Sequence, residues 1–126
     1  DLGAVASVAD EIAVMYAGRI VERAATQELV RAMRMPYTQA LLRARPDLAA
    51  PPHARLEALC GRPPDLARPI PGCAFAPRCR YAEERCHAVM PPVHSDGRHT
   101  YSCWKPLAGA TAAQSIRTSR DPCPTT

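Results

Sequence analysis

Six cysteines in a chain of 126 residues are the side chains whose type and spacing point most directly to chemistry. Four of them, Cys73, Cys79, Cys86 and Cys103, follow one another with gaps of five, six and sixteen residues. Zinc sites usually take cysteines in close pairs, because a tight turn then presents two sulfurs to one tetrahedral centre. No such pair occurs here. Wider gaps deliver each thiolate from a different part of a wrapped loop, an arrangement compatible with an iron–sulfur cluster, which ligands approach from several directions. From spacing alone, metal binding, disulfides and unligated thiols all stay open. Arg78, Arg80 and Arg85 put positive charge nearby, which is expected to lower thiol pKa values and offset a cluster's negative charge. Cys60 and Cys123 stand outside the group and are expected to be free thiols. His87, His94 and His99 are ligands by type, but in a polar loop they are expected to be solvated.

The elements that must position these cysteines change in character along the chain. Residues 1–11 carry apolar positions near helical spacing behind Asp1, which predicts a short amphipathic helix. The run "IAVMY" (12–16), the pair Ala17-Gly18 and the run "RIVE" (19–22) predict a β-hairpin. One hairpin is marginal alone in water, and the chain shows few other strand signals, so a larger sheet on its N-terminal side is expected. Thr26 is placed to cap a helix through "QELVRAMR", with Glu28 and Arg34 suited to the helix dipole. Pro36 suits the first turn of a second helix, "PYTQALLRA", which Pro46 ends. Twelve of the fourteen prolines lie between Pro36 and Pro106, so the chain beyond residue 46 is expected to be built of loops. The tail from residue 107 is small, polar and aperiodic, and is expected to be disordered.

Composition narrows the class. The formal net charge is +4, from 16 basic and 12 acidic residues with no dense basic run, so nucleic-acid binding is not expected. No apolar stretch approaches the ~18 residues that span a bilayer, and no signal-peptide pattern opens the chain. A cytosolic setting is expected, where thiols stay reduced and clustered cysteines favour metal or redox chemistry over disulfides. The first residue is Asp rather than Met, which suggests a truncated or processed chain.

Several stretches carry a resemblance. "DLG" followed by "VADEIAVMYAGRIVE", then "PYTQALL", then "GRPPDLARPIPGCAFAPRC" and "HTYSCW" resemble the C-terminal end of the ATP-binding subunits of dipeptide, oligopeptide or nickel ABC transporters. The resemblance covers residues 1–106. It implies an α+β fragment in which residues 1–34 end an α/β P-loop ATPase domain (helix, β-hairpin and helices). A loop-rich, cysteine-bound accessory domain follows over 35–106, with 107–126 as tail. It also implies that the hairpin completes a larger sheet, so that residues 1–35 of an isolated chain are expected to be poorly ordered.

For the cysteines the resemblance implies a [4Fe-4S] site matching Cys73, Cys79, Cys86 and Cys103, more structural than redox, with zinc as the alternative. The implied partners are integral-membrane permease subunits, a second ATP-binding subunit and, indirectly, an extracytoplasmic peptide-binding protein. The implied location is peripheral, on the cytoplasmic face of the inner membrane. ATP and magnesium would bind the intact subunit only. The Gly-rich phosphate loop, the acidic magnesium strand, the transporter signature and the switch histidine do not occur in these 126 residues, so none is assigned a catalytic role. The family's "HPY" triplet stands here as Met35-Pro36-Tyr37. A stand-alone iron–sulfur or zinc regulatory module is the alternative function.

Overall fold

Strict alternation shapes the first hairpin. The computed structural model describes residues 2–45 and 58–108. In β1 (Glu11–Tyr16) Ile12, Val14 and Tyr16 are buried while Glu11, Ala13 and Met15 face outward, the period-two pattern of a half-buried strand. β2 (Arg19–Ala25) pairs with it antiparallel, and the register shifts between Val14 and Met15. At the turn Ala17 has φ 51° and Gly18 φ 76°, both positive, as required by the tight turn whose twist matches that of the flanking strands. β2 runs three residues past the "RIVE" run, whereas helix α1 (Leu2–Val8) is shorter than the eleven residues expected.

Because β2 extends to Ala25, Thr26 is not the cap of the next helix. It is the first residue of α2 (Thr26–Ala32), with Ala25 in the cap position. The Thr26 hydroxyl instead donates to the Ala9 carbonyl at 2.5 Å, and its backbone N–H donates to Asp10 O at 2.9 Å, tying α2 to the chain entering β1. Pro36 opens α3 (Pro36–Arg43) as expected, since a first-turn residue needs no N–H donor. Ile12, Val14, Ala24 and Leu29 form a buried cluster on which Leu2, Ala6, Ala9, Val21, Tyr37 and Leu41 pack. At roughly 1.5–3 kcal/mol for each fully buried large aliphatic side chain, this cluster is the main support of the N-terminal half.

The hairpin does not lack strand neighbours, contrary to the sequence expectation. β3 (His94–Asp96) and β4 (His99–Tyr101) form a second hairpin, and the four strands make one antiparallel sheet in the order β1-β2-β4-β3. Glu22 pairs with Tyr101 and Arg23 with Thr100, and Ser102 N–H donates to Val21 O at 2.9 Å. A sheet of four strands with one packed face is far better supported than an isolated hairpin. The proline-rich half is therefore not wholly irregular, for it also holds a 3-10 turn (Ala76–Arg78) and α4 (Glu84–Ala88). Residues 46–57 and 109–126, including Pro46, Cys123 and most of the expected tail, lie outside the described residues.

Candidate metal centre

Two contacts hold the N-terminal elements to the segment that bears the cysteines. The first is Glu22 on β2, fully buried, whose carboxylate accepts from three donors. His99 Nε2 on β4 donates to Oε1 at 2.8 Å, Arg34 N–H donates to Oε1, and Met35 N–H donates to Oε2 at 3.2 Å. A buried carboxylate is tolerated only when its oxygens are met in this way. His99 is 1% exposed, which overturns the expectation that it is solvated; its Nδ1 lies 3.5 Å from Glu28. His87 and His94 are exposed, as expected.

The second contact is aromatic. Tyr16 on β1, Tyr37 on α3 and Phe75 meet with ring centroids 4.6, 5.4 and 5.1 Å apart, in tilted and edge-on geometries that such rings favour. Phe75 lies between Cys73 and Cys79, so this trio seats the cysteine loop on the N-terminal elements. Arg78 extends the seat: it donates to Tyr16 Oη at 3.2 Å, to Cys60 O at 2.7 Å and to Leu59 O at 3.3 Å. On the other side, Tyr81 Oη donates to Gln39 Oε1 at 3.0 Å.

All four predicted ligands line one small cavity of about 20 Å³. Cys73 precedes the 3-10 turn, Cys79 follows it, Cys86 lies on α4 and Cys103 comes two residues after β4. Phe75, Tyr81 and Trp104 wall the cavity, and Met35 and Pro36 close it against α3. The four thiols are free. Cys73 N–H donates to Cys86 O at 2.8 Å, and a Cβ on Gly72 would stand 2.3 Å from that same oxygen. Only glycine allows the two cysteine-bearing backbones to lie so close. Sequence reasoning missed this role, although a Gly immediately before a cysteine was a signal for it.

Electrostatics at the thiols run opposite to the sequence expectation. Burial raises the Cys73 thiol, and pushes Cys79 and Cys103 up to about 11, with the neighbouring thiols adding to the shift. The arginines do not reverse it because two of them are engaged elsewhere: Arg78 on carbonyls and Tyr16, and Arg85 over the Trp104 ring. Of the three arginines only Arg80 lowers Cys79, and by less than the hydrogen bond from the Tyr81 backbone. Protonated, buried and mutually close thiols are those a metal would deprotonate on binding. Among the described residues no group of three or more His, Cys, Asp or Glu side chains is disposed to hold a single metal ion. The expectation that Cys60 is a free thiol does not hold: it is disulfide-bonded.

An α+β unit in which one sheet is pinned to a cysteine-lined loop is thus the class of structure in hand. Residues 21–86 match the family described as oligopeptide/dipeptide transporter, C-terminal region, and the chain belongs to that family. It is 42% identical over 127 residues to the oligopeptide transport ATP-binding protein OppD of Mycobacterium tuberculosis, an alignment covering 98% of this chain and 21% of that protein. It is 44% identical over 107 residues to the dipeptide transport ATP-binding protein DppD of Haemophilus influenzae, covering 85% of this chain and 32% of that protein. The chain therefore spans a third or less of the length of these curated relatives. No helix among the described residues is long and apolar enough to cross a membrane.

Proposed function

We infer that this chain is the C-terminal part of the ATP-binding subunit of a peptide importer, and that Cys73, Cys79, Cys86 and Cys103 hold a [4Fe-4S] cluster in its accessory segment. In the intact subunit, ATP binding and hydrolysis would drive peptide uptake through membrane-embedded permease subunits, with a second ATP-binding subunit as partner. The subunit would lie peripherally on the cytoplasmic side. ATP and magnesium belong to motifs that these 126 residues do not contain. The importer role is supported by the family and by the relatives' names.

The cluster is supported by one observation above the rest: four free cysteines, brought from separate segments, line a single cavity. Their donor set, four thiols without a histidine or carboxylate among them, suits a [4Fe-4S] cluster, with a four-cysteine zinc site as the alternative. Such a cluster would cross-link a segment that has little aliphatic core, and its role is structural. Metal retention tests the ligand set: Cys79→Ser abolishes it and Cys123→Ser leaves it intact, and equal loss from both would refute the assignment.

A further inference from the structure

Cys103 reaches the other three cysteines across sixteen residues of chain that include β3 and β4, and its position depends on what holds the segment after β4. The residue next to Cys86 and the residue next to Cys103 meet directly. Arg85, on α4, lays its guanidinium over the Trp104 ring with Cζ 3.4 Å from the centroid. The indole Nε1–H donates to Val89 O, at the C-cap of α4, at 2.8 Å. Trp104 is thus gripped by α4 from two directions, through its π face and through its single donor. The same ring is a wall of the cysteine cavity. The Lys105 N–H, one residue on, points at Cys103 Sγ from 3.4 Å, and Lys105 Nζ lies 4.0 Å from Glu83 before α4.

We propose that the Arg85–Trp104 stack is a clasp that fixes Cys103 in the cavity before any metal is bound, which makes Arg85 a positioning residue of the site. The clasp acts through Trp104, and Arg85 touches none of the thiols in this role. It rests on reading the four cysteines as a metal site, but its signature is present in the metal-free chain. Arg85 is exposed, which sets the stack among the weaker cation–indole contacts, and losing it should release Cys103 by about two- to fivefold.

The test is site-resolved alkylation of the full reduced, metal-free chain by N-ethylmaleimide at fixed pH, read by mass spectrometry, for wild type, Arg85→Lys and Arg85→Gln. Arg85→Gln is expected to raise the Cys103 rate about two- to fivefold while Cys73 and Cys79 stay near wild type, with Arg85→Lys between. An unchanged Cys103 rate, or an equal rise at all four cysteines, overturns the clasp. Should Arg85→Gln lose its circular dichroism, Trp104→Phe keeps a ring for the cation and removes only the Nε1 donor, and it is expected to raise Cys103 alone by a smaller factor. Metal analysis of the wild type separates the two readings. A metal-binding chain whose Cys103 ignores Arg85 refutes the clasp alone, and a chain that binds no metal yet shows the selective rise refutes the metal site alone.

Discussion

Replacing His99 with alanine probes the joint between the N-terminal elements and the cysteine segment. His99 and Glu22 are 77 residues apart in sequence and both are shut off from water, at 1% and 0% exposure. Removing one partner of a buried carboxylate costs up to about 3–5 kcal/mol, because the remaining carboxylate loses a donor it cannot replace with water. Two backbone donors, Arg34 N–H and Met35 N–H, stay on Glu22, which places the expected loss toward the lower end, about 3 kcal/mol. Removing the carboxylate instead strands the ring and both backbone N–H groups, at about 1–3 kcal/mol for each donor left unpaired. Glu22→Leu should therefore cost at least as much as His99→Ala, and up to about 6 kcal/mol more. Urea unfolding followed by far-UV circular dichroism measures both. A loss of 3 kcal/mol lowers the midpoint by about 1–3 M at the slopes usual for small proteins. A loss below about 1 kcal/mol for His99→Ala, or the reverse order of the two variants, would show that the pair does not carry the joint.

Two further outcomes follow from the cavity itself. Gly72→Ala sets a methyl against the Cys86 carbonyl, where no flexible side chain can yield, so the Cys73–Cys86 backbone hydrogen bond must open. Overpacking of this kind costs about 1–3 kcal/mol and should weaken metal retention by about fivefold or more with all four cysteines present; unchanged retention would mean that Gly72 does not set their spacing. In the metal-free chain, burial favours the neutral Cys79 and Cys103 thiols and raises them to about 11, so their contribution to stability is complete below about pH 9 and lost as pH rises through about 11. Tyr37 is raised by burial as well and adds in the same direction, so comparison with Cys79→Ala isolates the thiol. The wild-type midpoint is expected to fall more steeply with alkaline pH than that of the variant, and parallel slopes would exclude a thiol contribution.

Local signals in the sequence reached some of this structure and stopped where distant residues meet. Alternation from Ile12 to Tyr16 and the Ala17-Gly18 turn specify the first hairpin, because a strand's burial pattern is written in adjacent residues. Pro36 marks α3 for an equally local reason. β3 and β4 escaped because each is three residues long and β3 is wholly exposed, leaving no alternation to read. Their one signal was Asp96-Gly97, with Gly97 at φ 62°. The burial of His99 was invisible, since its partner lies on β2 and a histidine in a polar stretch gives no local sign of a distant carboxylate. The four cysteines were legible as a group by type and spacing. That they share a cavity depends on Phe75, Gly72 and Trp104, whose contacts are tertiary.

The central claim, that these four cysteines bind an iron–sulfur cluster, is tested most directly by purifying the chain without oxygen and measuring iron, acid-labile sulfide and zinc per polypeptide. The account predicts iron and sulfide at about four each per chain, with zinc well below one. Stoichiometric zinc without sulfide, or a folded chain with no metal at all, would contradict it.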